Sequence, residues 1–85
     1  MEEKKLVGIV EHFYSKINVA VVNLEDSLSV GDKISIEGAS TNIQQTVDSM
    51  QAEHEPVEKA KAGDAVGLKV LDRVRPGDQV YKIVE

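Results

Sequence analysis

Three times in 85 residues the chain writes Gly-Asp just before an alternating apolar run: Gly31-Asp32 before "KISIE", Gly63-Asp64 before "AVGLKV" and Gly77-Asp78 before "QVYKIV". Glycine enters positive φ without steric cost, and aspartate hydrogen-bonds backbone close to it in sequence, so each pair is turn chemistry that launches a strand. The segments between these turns have the strand period as well. "LVGIVEHF" at 6–13 alternates at Val7, Ile9 and Phe13, with Gly8 marking a bend or a close backbone approach. "INVAVVNL" at 17–24 is apolar at nearly every position, so both of its sides are covered or one faces a neighbour. Leu28 and Val30 lead into the first Gly-Asp, and Ile34 and Ile36 point inward after it.

"NIQQTVDSMQ" at 42–51 places Ile43, Gln45 and Val47 on one side, where Gln45 is a polar misfit in an inward row. "AEHEPVEKAKA" at 52–62 reads as a polar loop with at most one helical turn around Pro56. The count is six strands and no long helix. The expected fold is all-β, a small closed six-stranded antiparallel barrel forming a single domain over residues 1–85, because closure removes edges that so Val-rich a sheet cannot leave open. A chain of this length buries roughly 60–65% of its unfolded surface, enough for one core. It contains no cysteine, so burial must hold that core without disulfides or thiolate zinc.

Ten basic against fifteen acidic residues give a net charge of −5, which argues against a general nucleic-acid coat and leaves room only for a local basic face. Phe13, Tyr14 and Tyr81 are too few to build the stacking platforms of single-strand binders. No apolar run is long enough to cross a bilayer and "MEEKK" leads into no signal-peptide core, so a soluble cytoplasmic protein without a membrane partner is expected. The phosphate-binding loop, the dinucleotide fingerprint, HExxH and GxSxG are all missing, which predicts a chain that is not an enzyme and uses no nucleotide or cofactor. His12 and His54, near Glu11, Glu53 and Glu55, are the one grouping with metal-ligand chemistry. "EHE" in a polar loop reads instead as a solvated acidic stretch, and no metal is expected.

The run "SLSVGDKISIEG", then "QTVDSMQAEHEPVEKAKAGDAVGLKV", then "VRPGDQVYKI" resembles the second domain of the translational GTPases, the barrel of elongation factor Tu, initiation factor two and the selenocysteine-specific elongation factor. The matching elements are Val30-Gly31-Asp32, Val47-Asp48-Ser49-Met50, Ala60 to Leu68 and Arg75 to Asp78, from about residue 19 to the end. That resemblance implies a Greek-key barrel of the elongation-factor domain 2 type and a translation-related, ribosome-associated binding module. The first half, "VGIVEHFYSKINVAVVNLEDSLSVGDKISIEG", is also similar to the small C-terminal barrel of the collagenase-like peptidase family. That similarity implies an accessory, substrate-presenting subunit of a peptidase-like or RNA-modifying enzyme. A protein–protein docking barrel, using a Val-rich sheet face, is the third reading.

The expected RNA-binding residues are Lys69, Arg73 and Arg75, at odd positions on and after one strand, with help from Lys59 and Lys61 flanking the "AKAGD" turn. Extended backbone through 69–75 projects the first three to one side, where guanidinium forks and ammonium groups suit the phosphates of tRNA or ribosomal RNA. The alternative for these residues is a solvated set paired with Asp64, Asp72 and Asp78.

Overall fold

The computed structural model describes residues 3–53 and 55–84. Among them the chain forms ten strands and no helix. The strands are β1 (Glu3–Tyr14), β2 (Val19–Leu24), β3 (Leu28–Ser29), β4 (Lys33–Glu37), β5 (Asn42–Thr46), β6 (Met50–Ala52), β7 (Glu55–Val57), β8 (Lys59–Ala60), β9 (Ala65–Lys69) and β10 (Gln79–Val84). Eight lie in one antiparallel sheet in the order β5-β4-β10-β1-β2-β9-β6-β7, while β3 pairs with β8 in a two-stranded sheet. The radius of gyration is 11.3 Å, close to the roughly 12 Å expected of a compact chain of this length.

All-β architecture is therefore correct, but the six-stranded closed barrel is not. No ladder joins the edge strands β5 and β7 among the described residues, so the eight-stranded sheet is not closed. The one strand expected over 42–51 is two, because the chain parts from the β4 edge after Val47 and crosses over at Asp48–Ser49 so that Met50 pairs with Leu68 of β9. The polar stretch 52–62 carries β7 and β8 rather than a helical turn. Pro56 fits there because β7 is an edge strand with one side free of the ladder.

β1 corrects the inward row Val7, Ile9, Phe13. Its pairing shifts between Leu6 and Gly8 against β10 and between Val10 and His12 against β2. These bulges change the phase, so Val7 and Val10 are buried while Ile9 is exposed. Gly8 sits where a Cβ would fall 2.7 Å from the Asn23 carbonyl oxygen and 2.6 Å from Val22 Cγ1, which is the close backbone approach its presence predicts. Beneath the sheet, Val7, Val10, Val22, Leu28, Ile34, Ile36, Met50, Leu68, Val74 and Val80 form one contiguous core.

The three Gly-Asp turns are one device used three times. Gly31, Gly63 and Gly77 have φ of 97°, 93° and 94°. In each turn the Asp N–H donates to the carbonyl three residues back: Asp32 to Ser29 at 3.1 Å, Asp64 to Lys61 at 3.0 Å and Asp78 to Arg75 at 3.1 Å. Positive φ at the third position with this bond is a type II turn. The Asp carboxylate then accepts the N–H of the turn's first residue, Ser29, Lys61 or Arg75, at 2.9, 3.1 and 2.9 Å. Finally, each turn clips one buried residue of the neighbouring strand or its end. Val47, Leu24 and Val10 donate to the Asp carbonyls and accept from the Gly N–H groups, at 2.7 to 2.9 Å. Each clip extends a ladder by one step, holding β4 to β5, β9 to β2 and β10 to β1.

Candidate functional site

β2 is apolar on both faces, and only one face meets the core. Ala20, Val22 and Leu24 are buried, while Val19 and Val21 stay partly exposed on the outer side. Register across the sheet sets their neighbours. Val21 lies opposite His12 of β1 and Gly67 of β9, and Val19 lies opposite Tyr14 and Lys69. Gln51 of β6 is in turn opposite Gly67. The result is a groove of about 450 Å³ lined by Tyr14, Ile17, Val19, Val21, Gln51, Glu53, Ala65, Val66 and Gly67. Gly67 lowers its floor because it has no side chain, and the rings of His12 and Tyr14 meet edge to face at 4.4 Å on the same surface. Tyr14 and Ile17 are 50% and 58% exposed.

Chemically this groove is a seat rather than a reaction centre: apolar walls, one amide from Gln51 and one carboxylate from Glu53. The β1–β2 turn and the β6–β7 turn bound it, and these two turns hold Asn18 and Glu53, the non-glycine residues with positive φ among those described, at 53° and 52°. Sequence reasoning saw that β2 must be covered on both sides or face a neighbour, but did not name the groove. Its lining comes from four strands, the β1–β2 hairpin together with β6 and β9 from the second half of the chain, and only their register brings Tyr14, Val21, Gln51 and Gly67 together.

The predicted basic residues are spread out. Lys59 lies on β8 opposite Ser29, and Lys61 begins the turn before β9. Lys69 ends β9 opposite Val19 on the outer face. The chain then bends at Leu71-Asp72, so the extended geometry expected to align Lys69, Arg73 and Arg75 stops at the first of them. All five side chains are exposed, and none joins the ion pairs of the described residues, Lys4–Glu37, Lys5–Asp26 and Lys82–Asp32. Asp64, Asp72 and Asp78 do hold Lys61, Arg73 and Arg75, but through the backbone N–H of each. The acids serve turn geometry rather than charge pairing. Gly31, Asp32, Gly63, Asp64, Gly77 and Asp78 form the third and fourth positions of the three type II turns.

His12 is exposed on β1, His54 lies outside the described residues, and among the described residues no three ligating side chains converge on a metal-sized space. Nor is any described helix long and apolar enough to cross a membrane.

No protein-family model matches the chain. It is 44% identical over 80 residues to an uncharacterized protease of Methanocaldococcus jannaschii and 35% identical over 82 residues to a collagenase of Porphyromonas gingivalis. Those stretches take in 93% and 94% of this chain but 20% and 23% of the relatives, so the chain spans about a fifth of their length. Two crystal structures of the C-terminal domain of a protein described as a U32 peptidase, from Geobacillus thermoleovorans, share the fold. Their TM-scores are 0.85 and 0.86 at 19% and 20% identity, covering 89% and 92% of this chain and 96% and 91% of theirs.

These matches overturn the translation-factor reading, with its ribosome and elongation-factor associations: the relatives are proteases and collagenases by name. The Ala60 to Leu68 run that helped suggest it encodes a type II turn and a strand clip, which report on backbone geometry and carry no information about a ligand. The similarity to the collagenase-like family, drawn from the first half, extends over nearly the whole chain.

Proposed function

We propose that this chain is a non-catalytic accessory module of a peptidase-like enzyme and that it helps to hold the protein substrate. The observation that carries this reading is the match of nearly the whole chain to about a fifth of longer proteins named protease and collagenase. The fold supports it, because the crystallised C-terminal domain of the Geobacillus thermoleovorans protein is nearly coextensive with this chain. The groove beside β2 adds a surface suited to binding rather than to bond cleavage.

The test uses the Porphyromonas gingivalis collagenase. Its matching stretch is deleted, or is replaced by this chain, and turnover is followed on a protein substrate and on a short peptide. An accessory module raises KM for the protein substrate on deletion, leaves short-peptide kcat unchanged, and is restored by the replacement. Equal loss of kcat on both substrates, or no change on either, rejects the reading.

A further inference from the structure

Glu53 stands in a conformation that its side chain does not favour. Left-handed φ is accessible to Gly and to Asn, whose short side chain bonds locally, which accounts for Asn18. Glu53, at φ 52°, opens the two-residue loop between Ala52 and Glu55, and two-residue hairpin turns require positive φ at that position. The same turn brings Glu53 into the lining of the groove. It brings the only carboxylate to that lining, which holds no Lys, Arg or His, beside apolar walls built by Tyr14, Ile17, Val19 and Val21 over the Gly67 floor.

We infer that the groove seats an extended protein segment in which an apolar side chain lies next to a basic one. The apolar side chain fills the space over Gly67, and the cation pairs with Glu53. Charge complementarity selects this occupant: a carboxylate at the rim of an apolar groove attracts a cation and repels an acidic flank, in a chain already at −5. Exposed Tyr14 and Ile17 supply the anchoring area that one apolar side chain needs. The inference rests on the accessory-module reading for the source of the segment, the enzyme's protein substrate, but its chemistry is tested on the isolated chain.

The experiment is a nuclear magnetic resonance titration of the 85-residue protein with three peptides of equal length, repeating Gly-Leu-Lys, Gly-Leu-Glu or Gly-Ser-Lys. The Leu-Lys peptide is expected to shift Val19, Val21, Glu53 and Gly67, and to bind more tightly than either of the others. Glu53→Gln should weaken it about three- to fivefold, and Ile17→Ser should weaken it without lowering the melting temperature. Glu53→Gly separates binding from folding: it relieves the backbone strain, so the melting temperature rises while the Leu-Lys peptide binds less well. Shifts outside the groove, equal binding of Leu-Lys and Leu-Glu peptides, or concentration-dependent shifts of the groove residues without peptide, as self-association would give, each overturn the inference. A groove that binds the peptide while the collagenase deletion leaves KM unchanged retains the site and rejects the accessory role.

Discussion

The side-chain amide of Gln45 donates to the carbonyl of Lys69 at 2.8 Å, tying the end of β5 to the end of β9 across a gap that no strand ladder spans. Its oxygen also accepts the Leu71 N–H at 2.9 Å, so both ends of the amide are used. The polar misfit in the inward row of β5 is therefore a bridge. Gln45→Leu keeps the size but removes both bonds from a part-buried bridge, and is expected to cost about 1–2 kcal/mol. Urea denaturation of the two proteins measures it, and an unchanged midpoint contradicts the bridging role.

Gly63 carries φ of 93°, and a Cβ there would meet no atom within 4 Å. Any penalty at this site is therefore conformational rather than steric. Gly63→Val should lower stability by more than ~1 kcal/mol, and Gly63→Asn by less, because Asn tolerates the left-handed region. Thermal melts that rank the two substitutions in the opposite order would be inconsistent with the turn assignment.

Asp32, Asp64 and Asp78 make the same bond to the first N–H of their turns, yet only Asp78 is buried. Gly38 packs so closely on the Asp78 carboxylate that a Cβ there would overlap it. Asp78→Ala is expected to destabilise by about 1.5–3 kcal/mol, the range for a hydrogen bond to a charged group, and to exceed both Asp32→Ala and Asp64→Ala. Chemical denaturation of the three variants checks the order.

The Asp26 carboxyl is held below the usual aspartate range, chiefly by a hydrogen bond from Lys5, then by the Ser27 N–H and the Lys5 charge. Glu37 is lowered in the same direction by hydrogen bonds from Lys4 and Ser35. Depressed carboxyl values stabilise the fold above the unfolded-state pKa, and that contribution is lost as pH falls through the native values. Lys5 and Lys82 face each other across β1 and β10, so protonating Asp26 also removes the charge that screens two opposed ammonium groups. The denaturation midpoint is expected to fall between about pH 5 and pH 2, and to fall less in an Asp26→Asn, Glu37→Gln double variant. Parallel pH profiles for the two proteins would exclude these groups.

Local chemistry determined the parts of this protein that depend on a few adjacent residues. Each of the three Gly-Asp pairs forms a type II turn, because only the glycine must take positive φ and the aspartate reaches an N–H three residues away. Period-two runs such as "KISIE" then declare strands whose inner face is apolar. Tertiary structure decided what depends on partners distant in the chain. Two bulges moved Ile9 of β1 outward, a corner after Val47 divided one expected strand into β5 and β6, and ladders drew β7 and β8 from a stretch too polar to announce itself. The same holds for function. The basic residues looked like a stripe because alternation was extended past Lys69, where no neighbouring strand enforces it. The apolar groove escaped notice because Tyr14, Val21, Gln51 and Gly67 become neighbours only through the pairing of β1, β2, β9 and β6. Register is a cooperative property of the whole sheet, and no short stretch of this chain contains it.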